Sequence, residues 1–164
     1  DIVSLRSRDR QRVIDVLSRD EDMSAALVPH VIRLLAWEPV ADHAMFALQR
    51  VAEERIGQLI DALIDPNQDF AVRRRLARVF AVCVSQRAAD GLLLGLDDVR
   101  FEVRFHCARS LSLILEKNPR LHINRDRVFD EEPQHLRLFR RHDRRPRSWR
   151  GDRDRLRPRC RRRS

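Results

Sequence analysis

The sequence predicts an all-α fold, a solenoid of about three stacked helix pairs, and three observations carry that expectation. A helix-pair unit recurs at an offset of 31 residues. Phe70-Ala-Val-Arg-Arg-Arg-Leu-Ala-Arg-Val-Phe80 and Phe101-Glu-Val-Arg-Phe-His-Cys-Ala-Arg-Ser-Leu111 keep Phe, Val-Arg and Ala-Arg in step, and periods of about 20 to 50 residues mark stacked repeats. Four Gly and no Tyr in 164 residues leave little of the aromatic and β-branched bias that strands favour. Each segment also has a single apolar stripe, which only stacking can bury.

The elements follow in order. Ser7 to Ser18 places Val13, Ile14 and Leu17 at helical spacing and reads as an amphipathic helix; residues 1–23 are then a capping helix or the remnant of a preceding repeat. Ser24 to Trp37 reads as a nearly all-apolar helix kinked at Pro29, because proline removes a backbone donor. Glu38-Pro39 turns the chain into a helix from Val40 to about Ala52, with Pro39 suited to a first helical position. Glu53 to Ile64 pairs with Asp69 to Val84 across the turn cluster Asp65-Pro66-Asn67-Gln68. Ser85 to Leu96 pairs with Asp98 to Lys117; Ser85 is the expected N-cap, and Asp97-Asp98 puts negative charge at the start of the next helix. Asn118-Pro119 ends the array, so the repeat domain spans 24–118. The second helices share an i, i+4, i+8 stripe: Val40/Ala44/Leu48, Val72/Leu76/Phe80 and Val103/Cys107/Leu111.

From about Ser24 to Asn118 the chain resembles HEAT-type repeats of the short bacterial variety, related to the phycobilin-lyase HEAT-like group. Leu27-Val-Pro29-His-Val-Ile-Arg-Leu-Leu35 is similar to the family's first helix with its internal proline. Asp65-Pro66 and Asp97-Asp98 resemble its inter-helix turn, and Val72-Arg73 and Val103-Arg104 resemble the Val-Arg that opens its second helix; the first unit has Val40-Ala41 instead. The resemblance implies a right-handed α-solenoid in which Arg73 and Arg104 pair with turn aspartates, here Asp69 and Asp98. It specifies architecture only, since such folds host scaffolds, regulators, chromophore-lyase subunits and nucleic-acid binders.

The formal charge of +9 is confined to one end. Residues 1–118 hold 17 basic and 18 acidic side chains, net −1; residues 119–164 hold 17 and 7, net +10. A charge argument for nucleic acid therefore fails for the repeat domain. From Leu136 onward Arg fills 14 of 29 positions, a composition that cannot bury enough apolar surface to fold alone. The 119–164 segment reads as an Arg-rich low-complexity tail, and the part beyond about Gln134 is expected to be disordered and dispensable for folding. It reads as a tether to nucleic acid or anionic lipid, as a disordered linker, or as sequence outside the true reading frame of an Arg-rich genome. Cys83, Cys107 and Cys160 are too few and scattered for a disulfide framework or zinc site, which suits a reducing cytoplasm. No apolar run reaches the roughly 20 residues of a membrane helix, and the chain reads as a soluble segment of a larger bacterial protein.

Opposite the apolar stripes, the second helices present Asp42, His43 and Phe46, then Arg74, Arg75 and Arg78, then Phe105, His106 and Arg109. His43, Arg75 and His106 form one expected ladder, and Phe46, Arg78 and Arg109 another, on the surface that lines the concave groove in this family. Guanidinium forks with aromatic rings suit acidic peptides; the alternative is a solvated face with i, i+4 pairing. No phosphate loop, nucleophile motif or metal helix is present, and His43 and His106 lie too far apart to share a metal. The expectation is a non-catalytic interaction scaffold or regulatory module without cofactor. It binds an acidic or mixed peptide surface through His43, Phe46, Arg74, Arg75, Arg78, Phe105, His106 and Arg109. The alternative is a nucleic-acid or anionic-surface binder using the Arg face and the tail.

Overall fold

Asp9, Asp69 and Ser85 each open a helix with their own side chains, satisfying N–H groups that a helix start leaves without partners. The Asp9 carboxylate accepts from Gln11 and Arg12 N–H (3.0 and 3.3 Å), Asp69 from Ala71 N–H (2.7 Å), and the Ser85 hydroxyl from Ala88 N–H (3.3 Å). The computed structural model describes residues 1–19 and 23–123, all within the first of its two units, Asp1–Val128. Among the described residues the elements are α1 (Ile2–Leu5), α2 (Arg10–Leu17), α3 (Val28–Leu34), α4 (Glu38–Arg50), α5 (Ile56–Ile64), α6 (Phe70–Val79) with a 3-10 turn at Phe80–Val82, α7 (Gln86–Gly95) and α8 (Phe101–Lys117), and no strand.

Sequence neighbours pair: α3 with α4, α5 with α6, and α7 with α8. The second helices also touch in succession, α4 to α6 to α8, while α5 contacts both α3 and α7. The first two helices continue the pattern, with α1 against α2 and α3, and α2 against α4. All nine residues of the shared stripe are buried, from Val40, Ala44 and Leu48 to Val103, Cys107 and Leu111.

Polar groups join consecutive units at similar sequence separations. Arg50 in the last turn of α4 donates to Leu17 O at the end of α2 (2.7 Å), and Lys117 ending α8 donates to Ala81 O (2.6 Å). Both place a cation on carbonyls that a helix end leaves without partners. In the other direction Glu53 accepts from the N–H groups of Val84 and Ser85, just before α7.

Three sequence expectations change. Pro29 does not kink a long helix; α3 starts at Val28, so the proline falls in its first turn, where its missing N–H costs nothing. The helix expected to Val84 stops at Val79 and tightens into the 3-10 turn. Packing also continues past the 118/119 boundary: Leu121 and Ile123 lie against the core, and Gln86 brackets His122, accepting from its N–H and donating to its carbonyl at 2.9 Å each. The tail beyond Ile123, with Leu136, Leu138 and Phe139, lies outside the described residues.

Two glycines let α7 sit close to its neighbours. A Cβ at Gly91 would meet Ile60 Cγ1 at 2.5 Å, and one at Gly95 would meet Cys107 Sγ at 2.5 Å. Gly91→Ala and Gly95→Ala should each lower stability by about 1–3 kcal/mol through overpacking, despite alanine's propensity advantage of about 1 kcal/mol. Gly57→Ala is the control. Its Cβ would meet only the guanidinium end of Arg87, which can move, so the propensity gain should prevail. Urea midpoints of the three variants check this; equal effects at all three positions would show that close approach does not select glycine here.

Candidate functional site

The outward faces of α6 and α8 carry matched lines at i, i+4 and i+8. On α6 these are Phe70, Arg74 and Arg78; on α8 they are Phe101, Phe105 and Arg109, followed by Leu113. The 31-residue offset gives Phe70 and Phe101, and Arg78 and Arg109, equivalent positions on their helices. Several apolar groups here face solvent: Phe101 is 65% exposed, Phe105 48% and Leu113 37%. The rings are dressed with cations. Arg74 and Arg100 lie 5.7 and 5.1 Å from the Phe70 ring, and Arg104 lies 5.9 Å from Phe101.

Between α4, α6 and α8 runs a cleft of about 390 Å³. Met45 and Gln49 line it from α4, Arg78 from α6, and His106, Arg109 and Leu113 from α8. Phe105 meets the His106 ring edge-on at 5.3 Å. Burial holds the His106 pKa below its ordinary value, and the nearby charges of Arg78, Arg74 and Arg109 lower it further. Three guanidiniums thus act on one half-buried imidazole. Among the described residues none of the three forms an ion pair with a carboxylate.

The expected residues divide into three groups. Arg78, His106 and Arg109 share the cleft, with Arg74 and Phe105 beside it. His43 and Phe46 lie in a separate depression of about 320 Å³ with Asp42, Arg50 and the end of α2, at Leu17 and Ser18. Arg75 belongs to neither, which corrects the expected ladder of His43, Arg75 and His106. It is 8% exposed, donates to Leu35 O at 2.6 Å and pairs with Glu38, and so closes the turn between α3 and α4. The physical reason is that the carbonyls ending α3 need donors and favour a cation.

Met45, Gln49 and Leu113 complete the cleft but carry no signal that sequence reasoning used. Phe101 has one, its register with Phe70, which marks the repeat and also places a ring on this face. Among the described residues no three His, Cys, Asp or Glu side chains gather as a metal ion would need. Burial pushes the Cys83 and Cys107 thiols up to about 12, reinforced by Glu53 at the first and Asp98 at the second. Both stay protonated at neutral pH and are poor nucleophiles. No described helix is long and apolar enough to cross a membrane. No protein-family model matches the chain, and neither does any curated protein or solved structure.

Proposed function

We propose that the chain is a non-catalytic protein-interaction module, a HEAT-like α-solenoid whose α4/α6/α8 face docks an acidic peptide segment. The observation that carries this reading is the grouping of Arg74, Arg78 and Arg109 around His106 without carboxylate ion pairs among the described residues, next to solvent-facing Phe105 and Leu113. Cations supply charge-assisted hydrogen bonds to carboxylates, and exposed apolar side chains supply the contact area of an interface centre. The succession of contacts α4–α6–α8 and the side-chain bonds between consecutive units support the solenoid part of the reading.

Selection from a random peptide display library should enrich Asp and Glu next to Leu or Phe. Arg78→Glu with Arg109→Glu should then weaken the selected peptides by about 100-fold or more, since charge-assisted hydrogen bonds are worth about 1.5–3 kcal/mol each. A peptide anchored partly by apolar contacts should lose affinity only modestly as salt rises. A nucleic-acid partner would instead weaken steeply. Enrichment without acidic bias, or binding that survives the double reversal, would refute the assignment of this face.

A further inference from the structure

We propose that Arg74, Arg78, His106 and Arg109 form a subsite for one phosphoryl group on the docked segment, so that the face recognises a phosphorylated peptide. This rests on the docking role of the α4/α6/α8 face and names what that face reads.

The charge balance favours phosphate over carboxylate. A single carboxylate offers one negative charge, whereas a phosphorylated side chain carries about −1.5 to −2 at neutral pH and three strong acceptor oxygens. That suits the two guanidiniums that share the cleft with His106, Arg78 from α6 and Arg109 from α8, with Arg74 close enough for its charge to act on the imidazole. The surroundings add little compensation: α4 contributes the uncharged Met45 and Gln49 to the cleft. Of the nearby acids, Glu38 is paired with Arg75, Asp42 lies in the other depression, and Glu102 stands one turn before His106 on the exposed surface of α8.

The extent of the positive charge separates a peptide from a nucleic acid. A nucleic-acid backbone needs a track of cations following successive phosphates. Here cations alternate with apolar groups: the line on α8 runs Phe101, Phe105, Arg109, Leu113, that on α6 runs Phe70, Arg74, Arg78, and Arg100 and Arg104 lie against the Phe70 and Phe101 rings. One phosphoryl group flanked by apolar side chains matches that pattern. An anion seated beside His106 also favours its imidazolium form, so binding takes up a proton at that ring.

The test follows the His106 imidazole protons of the full chain by NMR. The probes are inorganic phosphate and a short synthetic peptide with one phosphoserine between two leucines, next to its aspartate and unmodified forms and an oligo-dT strand. Phosphate and phosphopeptide should both raise the His106 pKa, and the phosphopeptide should bind at least about tenfold tighter than the aspartate form, a difference of about 1.4 kcal/mol. Arg78→Gln with Arg109→Gln should remove both effects; circular dichroism checks that these exposed changes leave the helices intact. Aspartate and phosphoserine forms binding equally would overturn the phosphoryl subsite while leaving the acidic-peptide reading in place. No binding by any peptide would count against both. Tighter, length-dependent binding of oligo-dT would replace the peptide with a nucleic acid.

Discussion

Asp98→Ala should cost about 3–5 kcal/mol, the range expected when one partner of a buried ion pair is removed. The Asp98 side chain is 1% exposed and that of Arg73, its ion-pair partner, 12%. The same carboxylate accepts the Arg100 N–H at 2.8 Å, immediately before α8, and the Asp98 carbonyl accepts from Arg104 at 2.7 Å. Arg73 in turn donates to Leu63 O at 2.9 Å, in the last turn of α5. One network therefore ties the end of α5, the start of α6 and the turn between α7 and α8. Alanine would leave the Arg73 charge buried without its counter-ion and the Arg100 N–H without its acceptor. Domains of this size have only about 5–15 kcal/mol of stability, so a substantial unfolded fraction should appear in mild urea. Asp98→Asn keeps an acceptor for Arg100 and should cost less. A double-mutant cycle with Arg73→Met isolates the pair itself; a coupling near zero would mean that the capping bond, and not the ion pair, holds this turn.

That network also marks how far the sequence could be read. The apolar stripes were legible because burial on a helix repeats at i and i+4, and Val72, Leu76 and Phe80 are buried as their spacing requires. Local caps were legible for the same kind of reason: Ser85 and the Asp65 turn act within three residues of themselves. Of the two turn aspartates that the Val-Arg resemblance offered, Asp98 pairs with Arg73, and Asp69 caps α6 instead. The candidate site was legible only as a face. Its division into two depressions depends on α2 ending beside His43 and Phe46, a contact between segments 25 to 29 residues apart that no local pattern encodes. A proline in an apolar run is compatible with either a kink or a helix start, and for Pro29 only the turn at residues 25–27 decides.

Arg75→Glu should cost about 3 kcal/mol or more, whereas Arg78→Glu, three positions along the same helix, should stay within about 0.5 kcal/mol of wild type. At about 100° per residue, Arg75 stands about 60° from Val72, at the margin of the apolar stripe, and Arg78 about 120° away. Sequence alone leaves a marginal position free to turn either way. The partners decide it: the Leu35 carbonyl and Glu38 lie 40 and 37 residues upstream of Arg75. A glutamate at 75 would remove the donor from Leu35 O and set a carboxylate against that carbonyl and Glu38, both acceptors. Glu38→Gln separates the contributions. The Glu38 side chain is 82% exposed, so losing its charge should change stability by less than about 1 kcal/mol, as for exposed ion pairs generally. Chemical denaturation of the three variants checks the order. If Arg75→Glu were as mild as Arg78→Glu, the bond to Leu35 O would not hold the α3–α4 turn. With the order as expected, reversing Arg78 and Arg109 tests the binding face without disturbing the fold, whereas any reversal that includes Arg75 confounds lost binding with lost structure.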